Sequence, residues 1–530
     1  MFQSHVLRLV TFAALSCFFA AGTLFGATFY VAVDGNDTTG TGSTTTPWAT
    51  LQQAVSQVSD GDEIVVRDGV YRGQNLLERQ FANGIVIRSE NNYQARFVFT
   101  GPSIVGTDCQ GMRFQGFVFQ QETPFPQDNV VMMTGDTQRI TFDNNIFHDA
   151  IRLSLLYFGP GGVDLTMTNN MFYNAGLASE SNHIRVEGGR NVLISDNVFF
   201  NDYEGSGRGN TNNSGAFVFI TNPTDVAGVD NIQIRRNIMF HWQGLDNISM
   251  IQLGSLSNAD HYDAENVTVE NNLMLGDGPL DSRAFLTLQN ARSITIRNNT
   301  FSGDLPSLAF AFYMISSQPT ILNDEITITN NIWNDPFGTM GARNNEGILD
   351  FCDCLPQFND LVILANNLYY NGGNPMPFDQ EELLNPVGDS SGTFEDPLLA
   401  TPETITLPRY SGGSFLGGHA TIREVFVAMA DAYGRVGAGS PAINGAPLSP
   451  EDDLLGNLRG STGDLGAMEF AVCSLAGDLN DDRAVNEGDF GVFRAAWTTT
   501  GVADLNNDGR VSVLDGVQLR NQIAACGEET

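Results

Sequence analysis

The sequence predicts an all-β fold of the solenoid class, a stack of similar coils built from short strands. Three observations carry that expectation. One eight-residue phrase recurs eight times. Each copy opens on apolar–polar alternation. Each closes on an Asn-containing turn and a large apolar residue. The copies are ITFDNNIF (140–147), LTMTNNMF (165–172), VLISDNVF (192–199), IQIRRNIM (232–239), VTVENNLM (267–274), ITIRNNTF (294–301), ITITNNIW (326–333) and VILANNLY (362–369). Anchored on the last Asn of each (145, 170, 197, 237, 272, 299, 331, 367), they step by 25, 27, 40, 35, 27, 32 and 36 residues. Repeats of this size belong to stacked-repeat architectures.

The alternation sets the strand. Ile140 and Phe142 face inward while Thr141 and Asp143 face outward, and Leu165 and Met167 repeat this one coil later. A short strand cannot bury its own apolar face, so the coils stack. Equivalent side chains then fall about 4.8 Å apart. Asn145, Asn170, Asn197, Asn237, Asn272, Asn299, Asn331 and Asn367 therefore form a ladder. Asn suits that place because it tolerates the left-handed turn and bonds the coils above and below. Two positions on, Phe147, Phe172, Phe199, Met239, Met274, Phe301, Trp333 and Tyr369 make an apolar stack. MRFQGFVF (112–119) is an earlier coil with Gly-Phe in place of the Asn pair.

These features resemble a right-handed parallel β-helix of the pectate-lyase-like class over Thr28 to Phe470. Residues 29–73 resemble the usual entry segment of such proteins, which implies a capping helix over Ala49–Val58. DPLL (396–399), GSPAINGA (439–446) and GDLGAMEF (463–470) resemble their closing segments. The expected organisation is a secretory signal over 1–27, the β-helix over 28–400, its closing segment over 401–472 and a small module over 473–530. The signal rests on His5 and Arg8 ahead of the apolar run Leu9 to Phe25. It implies an extracellular protein, free or attached to the cell surface. No other stretch is long and apolar enough to span a bilayer.

The formal net charge is −35, and all 26 basic residues are Arg. Such a surface suits high salt, where screening is short-ranged. It excludes nucleic acid as a partner, because phosphates are repelled. Beyond the signal lie Cys109, Cys352, Cys354, Cys473 and Cys526, an odd number for an exported chain. Cys352-Asp353-Cys354 is either a metal pair or a local loop feature, and Cys473 and Cys526 bracket the last module.

That module carries two copies of a calcium loop, DLNDDRAVNEGD (478–489) and DLNNDGRVSVLD (504–515). Oxygen ligands fall at positions 1, 3, 5, 9 and 12, with a backbone carbonyl at 7: Asp478, Asn480, Asp482, Ala484, Asn486 and Asp489, then Asp504, Asn506, Asp508, Arg510, Ser512 and Asp515. That is the oxygen cage a hard cation needs. Gly509 fits the sharp turn at position 6, and Arg483 departs from it. Each loop leads into a short helix, 490–497 and 516–523. The pair resembles a type I dockerin, an α-helical, EF-hand-like module. The resemblance implies two Ca²⁺ ions and a cohesin-type receptor or cell-surface tether as partner. Glu487-Gly488 and Val513-Leu514 replace the frequent Ser-Thr recognition pair, which leaves the receptor open.

For catalysis the strongest local signal is His183-Ile184-Arg185-Val186-Glu187. Alternation expects Ile184 and Val186 inside and His183, Arg185 and Glu187 together outside. Neighbouring strands offer Phe217, Phe219, Gln252, Thr287 and Gln289, and the long insertion 201–215 brings Tyr203, Glu204 and Arg208. His148, Arg152, His241, Asp246 and Arg283 are further candidates, and solvated surface groups are the alternative for all of them. The class resemblance implies a polysaccharide in a lateral groove, with an acidic one preferred. The absence of Lys removes a Lys-base lyase. A β-eliminating lyase with Arg185 or His183 as base, and a hydrolase with Glu187 or Glu204 in a carboxylate pair, both stay open. So do a uronate epimerase, a non-catalytic glycan-binding or adhesive protein, and a further groove Ca²⁺.

Overall fold

The computed structural model describes residues 26–470 except 123–127, 151–152, 174–181, 203–214, 226–227, 244–247, 258–259, 278–281, 305–307, 317–320, 341–349, 403–404, 448 and 461. Beyond 470 it describes 479, 489–496, 503, 511–512, 515–517 and 519. The expected signal segment, apart from Gly26 and Ala27, lies outside the described residues.

Three parallel sheets run the length of the molecule, with 12, 11 and 10 strands, here called A, B and C. One coil is an A strand, a B strand and a C strand. Successive coils add in sequence order, and such parallel crossovers are right-handed. This is the predicted β-helix. Ile140 pairs with Met112 below and Leu165 above, so each phrase is the A and B part of one coil. The Gly-Phe variant forms a coil as expected, with strands Gln110–Gln115 and Val118–Gln121.

Exactly where A turns into B, the chain uses two residues in every repeated coil, such as Asn144-Asn145 between Asp143 and Ile146. The structure divides between them the two roles that sequence reasoning gave to the ladder Asn. The first takes φ of +50° to +60°: Asn144, Asn169, Asp196, Arg236, Asn271, Asn298, Asn330 and Asn366. The second forms the ladder. Asn170 Oδ1 accepts from the backbone N and Nδ2 of Asn145 at 2.9 and 3.1 Å, and Asn170 Nδ2 donates to Phe142 O at 2.9 Å. An αL residue can be Asp or Arg. A ladder residue must accept and donate at once, which an amide does.

The ladder ends on a different group. Asn367 N and Nδ2 both donate to Asp389 Oδ2 at 3.0 Å, as does Tyr369 Oη at 3.1 Å. A carboxylate suits this last rung because it only accepts. Inside, Phe147 stacks on Phe172 with centroids 4.8 Å apart, and Phe172 on Phe199 at 5.0 Å.

Helix α1 (Leu51–Gln57) closes the first coil, within the expected span. Thr50 caps it by accepting from Gln53 N, and Leu51, Ala54 and Val55 are buried. Helix α2 (Ile422–Tyr433) lies against the outside of sheet B. Its Ile422, Val425, Phe426 and Met429 share a core with Ile146, Met171, Val198, Ile238 and Leu273. The segment 442–470 continues along the A–B corner. Asp452 pairs with Arg235 and Arg236, and Gly466 N donates to Asn330 O at 2.8 Å. The chain thus covers the outer face of sheet B with itself.

Cys352 and Cys354 are disulfide-bonded to each other. Cys109 is buried, donates to Leu77 O at 2.9 Å, and burial pushes its thiol up to about 11. Among the described residues no helix is long and apolar enough to cross a membrane.

Candidate functional site on the outer face of sheet C

The coil spends its length variation beside sheet C. The link from B to C runs from two residues (73–74) to eighteen (200–217), and the link from C back to A from one (290) to ten (254–263). Variable loops on a fixed scaffold are where binding surfaces arise. Both borders of the outer face of sheet C are built this way.

Register aligns one row of side chains down that face. Met132 pairs with Tyr157, Tyr157 with Arg185, Arg185 with Phe219, Phe219 with Gln252, Gln252 with Thr287, Thr287 with Tyr313, and Tyr313 with Asp353. The strand spacing puts neighbours about 4.8 Å apart. The row is largely aromatic, amide and ionisable, whereas Leu156, Ile184, Val218 and Ile251 fill the core side.

Tyr157 and Arg185 of this row close on Glu187, two residues further along the Arg185 strand. Tyr157 Oη donates to Glu187 Oε2 at 2.7 Å, and Arg185 Nη2 pairs with Glu187 Oε1 at 2.6 Å. The Arg185 guanidinium lies over the Phe219 ring, 5.1 Å from its centroid. Burial, and then the bond to Glu187, raise the Tyr157 phenol above its ordinary value. Tyr157 therefore holds its proton at neutral pH and can only donate it. The placement of Arg185 and Glu187 on the outer face matches the alternation.

His183 departs from it. The residue is fully buried, because the chain enters sheet C through a corner where two consecutive side chains point inward. Leu155 and Leu156, Phe217 and Val218, and Met250 and Ile251 do the same. The His183 ring packs on Phe217 at 4.7 Å, with Nε2 on Asn201 Oδ1 at 3.0 Å. Desolvation lowers it to about 3. A neutral imidazole inside the core cannot meet a substrate on the outer face, so His183 is removed as a base.

The other candidates scatter. Glu204, Arg208, Arg152 and Asp246 lie outside the described residues. His148 stacks on Tyr173 at 5.0 Å with Nδ1 2.8 Å from Asp149 Oδ2. His241 N donates to Asp277. Arg283 does reach the row, 4.2 Å above the Tyr313 ring and 3.5 Å from Asp353 Oδ2.

A second ionisable group at that end of the row was missed by sequence reasoning. Asp350 and Asp353 on the last C strand lie within electrostatic reach of Asp379 and Glu382 from the segment beyond. Burial, then Asp379 and Asp353, push Asp350 up to about 6. Burial raises Glu382 to about 7 against the bond its Oε2 accepts from Cys354 N, and Asp353, Asp350 and Asp379 add to the rise. Five strand spacings separate Arg185 from Asp353, about 24 Å. The strand DFCD (350–353) carries two Asp, but it belongs to none of the counted phrases. Asp379 and Glu382 stand in no repeat at all.

Of the calcium loops, Asp478, Asn480, Asp482, Ala484, Asn486, Asp504, Asn506, Asp508 and Arg510 lie outside the described residues, and Asp489 opens helix α3 (Asp489–Ala495). Ser512 N and Oγ donate to Asp515 Oδ2 at 2.7 and 3.0 Å. Among the described residues no three His, Cys, Asp or Glu side chains are grouped to hold a metal.

No protein-family model matches the chain, and no curated protein matches it. Solved structures do. Pectate lyase Pel9A is 14% identical over 84% of this chain and 96% of its own, with a TM-score of 0.46. A rhamnogalacturonan lyase is 14% identical over 64% and 87%, at 0.38. The A-module of Azotobacter vinelandii mannuronan C-5 epimerase AlgE4 is 12% identical over 63% and 91%, at 0.36. Identities this low speak to chain path alone.

Proposed function

We propose that the outer face of sheet C is a groove that takes an extended polysaccharide, and that Tyr157, Glu187 and Arg185 cleave it. The observation that carries this is the register row from Met132 to Asp353, bordered on both sides by the variable links. A linear glycan needs such a row of aromatic and polar contacts at regular spacing. The two guanidinium groups on it, Arg185 and Arg283, favour an acidic sugar despite the net charge of −35.

In an elimination, a base takes the proton beside the sugar carboxylate, the bond to the leaving oxygen breaks, a carbon–carbon double bond forms, and the leaving oxygen takes a proton. Glu187 or Arg185 is the proposed base, and Tyr157 the proposed proton donor. Hydrolysis needs two carboxylates about 5 to 10 Å apart. The Asp350–Glu382 group, about 24 Å away along the row, is too far to partner Glu187, and the partner proposed from the sequence is Glu204. An epimerase would share the first proton transfer and return a proton without breaking the chain. Because both Glu187 oxygens are engaged by Tyr157 and Arg185, a purely glycan-binding face is the second reading.

The protein is read as exported, with the tail as a calcium-dependent anchor. A panel of neutral and acidic polysaccharides, in high salt with Ca²⁺, tests the groove. New reducing ends with ultraviolet absorbance mean elimination; reducing ends alone mean hydrolysis. Neither signal, with retained binding, gives the face to recognition only. Chelator should remove helical circular dichroism from 475–526 and spare the β signal; an unchanged spectrum removes the calcium reading.

A further inference from the structure

The two ends of the solenoid differ. At the first coil, α1 buries Leu51, Ala54 and Val55. At the last, Val362–Ala365 is the edge strand of sheet A. Leu361 and Ile363 there are 53% and 46% exposed, and Phe378, Val387 and Phe394 of the following segment are 60%, 58% and 45% exposed. Two clefts open among them. One is lined by Ile363, Phe378, Leu383 and Val387, the other by Tyr370, Met376, Val387 and Phe394, and Val387 joins the two. A contiguous apolar patch beside an edge strand marks an interaction surface.

We propose that residues 471–530 of the same chain dock on this end. The described body ends at Phe470, which packs against the cluster of Ile332, Leu368 and Leu465. Leu368 adjoins Tyr369, whose ring stacks on Phe394 at 5.3 Å. Phe470 N donates to Asp464 Oδ2, and Asp464 O accepts from Asn298 two coils before the last, so the tail starts about 10 Å along the axis from the last coil, and the nine residues 471–479 reach up to about 30 Å. A tether that short holds the tail at an effective concentration on the order of millimolar. The tail has a small apolar core of its own in Leu479, Phe493, Ala503, Val511 and Leu519, and Val517 is half exposed outside it. Charge opposes the contact. Asp360, Glu381, Glu395 and Asp396 are exposed near the patch, and the calcium loops are acidic too. Docking is thus driven by apolar burial and strengthens with salt, which screens the repulsion.

The test uses the full chain and needs no activity assay, so it stands or falls apart from the proposed function. Small-angle scattering, light scattering and hydrogen exchange are measured in low and high salt, on the unaltered protein and on Ile363→Glu with Phe378→Glu. Both altered positions are exposed, and Val387→Glu serves as an independent variant. The expected result is a compact monomer with slow exchange over 361–364. The variants then extend in scattering, and protease cuts the tail on the order of tenfold faster. Fast exchange over 361–364 in the unaltered chain, with an already extended monomer, overturns the proposal. So does a dimer that the variants split, since a second copy would then be the occupant.

Discussion

The corner between sheets A and B and the two corners beside sheet C are built on opposite terms. The first is two residues long in every repeated coil, bonded through a continuous Asn ladder and, from Arg236 to Asn366, covered by residues 442–470. The others vary from one residue to eighteen and border an outer face of aromatic and charged side chains. Uniformity goes with stability here, because a ladder is only as good as each rung. Variation goes with function, because each coil can bring a different loop to the same face without disturbing its neighbours.

Breaking each side of that contrast should give different readouts. The largest effect is expected on the variable side. Arg185→Ala with Glu187→Ala should cut turnover by about 10²- to 10⁴-fold while thermal unfolding stays close to the unaltered protein. Unchanged turnover would remove these residues from the site. On the uniform side, Asn170→Ala removes the acceptor of Asn145 N, one of the two acceptors of Asn145 Nδ2 (Phe114 O stays) and the amide donor on Phe142 O, at about 3 kcal/mol. Asn169→Gly, one residue earlier at φ +55°, should stay within about 1 kcal/mol. Denaturant unfolding checks both, and equal costs would refute the division of roles in the turn.

Two pH effects sharpen the comparison further. Glu382 sits at about 7 in the fold against 4.5 when free. Its contribution is complete below about 4.5 and is lost as pH rises through 7, so the segment around 379–388 should loosen above neutrality. Glu382→Gln should flatten that dependence in local hydrogen exchange. His183 has the opposite sign. Its value of about 3 lies below the free 6.5, so its contribution is present above 6.5 and is lost as pH falls toward 3. One such group adds a slope of at most about 1.4 kcal/mol per pH unit. His183→Phe, matching Phe217 in the next coil, should remove that slope and leave turnover unchanged.

His183 also shows where linear reasoning stops. Alternation is a rule for the inside of a strand, and it placed Arg185 and Glu187 correctly. His183 stands at the entry corner, where two successive side chains turn inward, and no local pattern announces that. Tyr157, Tyr313 and Asp353 were missed for another reason. Tyr157 and Tyr313 stand on mostly apolar strands and Asp353 on the short strand DFCD, and each gains meaning only once register sets it beside the next.

From the sequence alone came the coil, its strand alternation, the Asn ladder, the aromatic stack and the α1 cap, because each depends on neighbours a few residues away or on a repeat that can be counted. The tertiary structure alone decided which side chains share the sheet C row, that residues 401–470 fold back over sheet B, and that the last coil is left apolar and open. Links of one to eighteen residues erase any fixed spacing between one C strand and the next, so their alignment exists only after the coils have stacked.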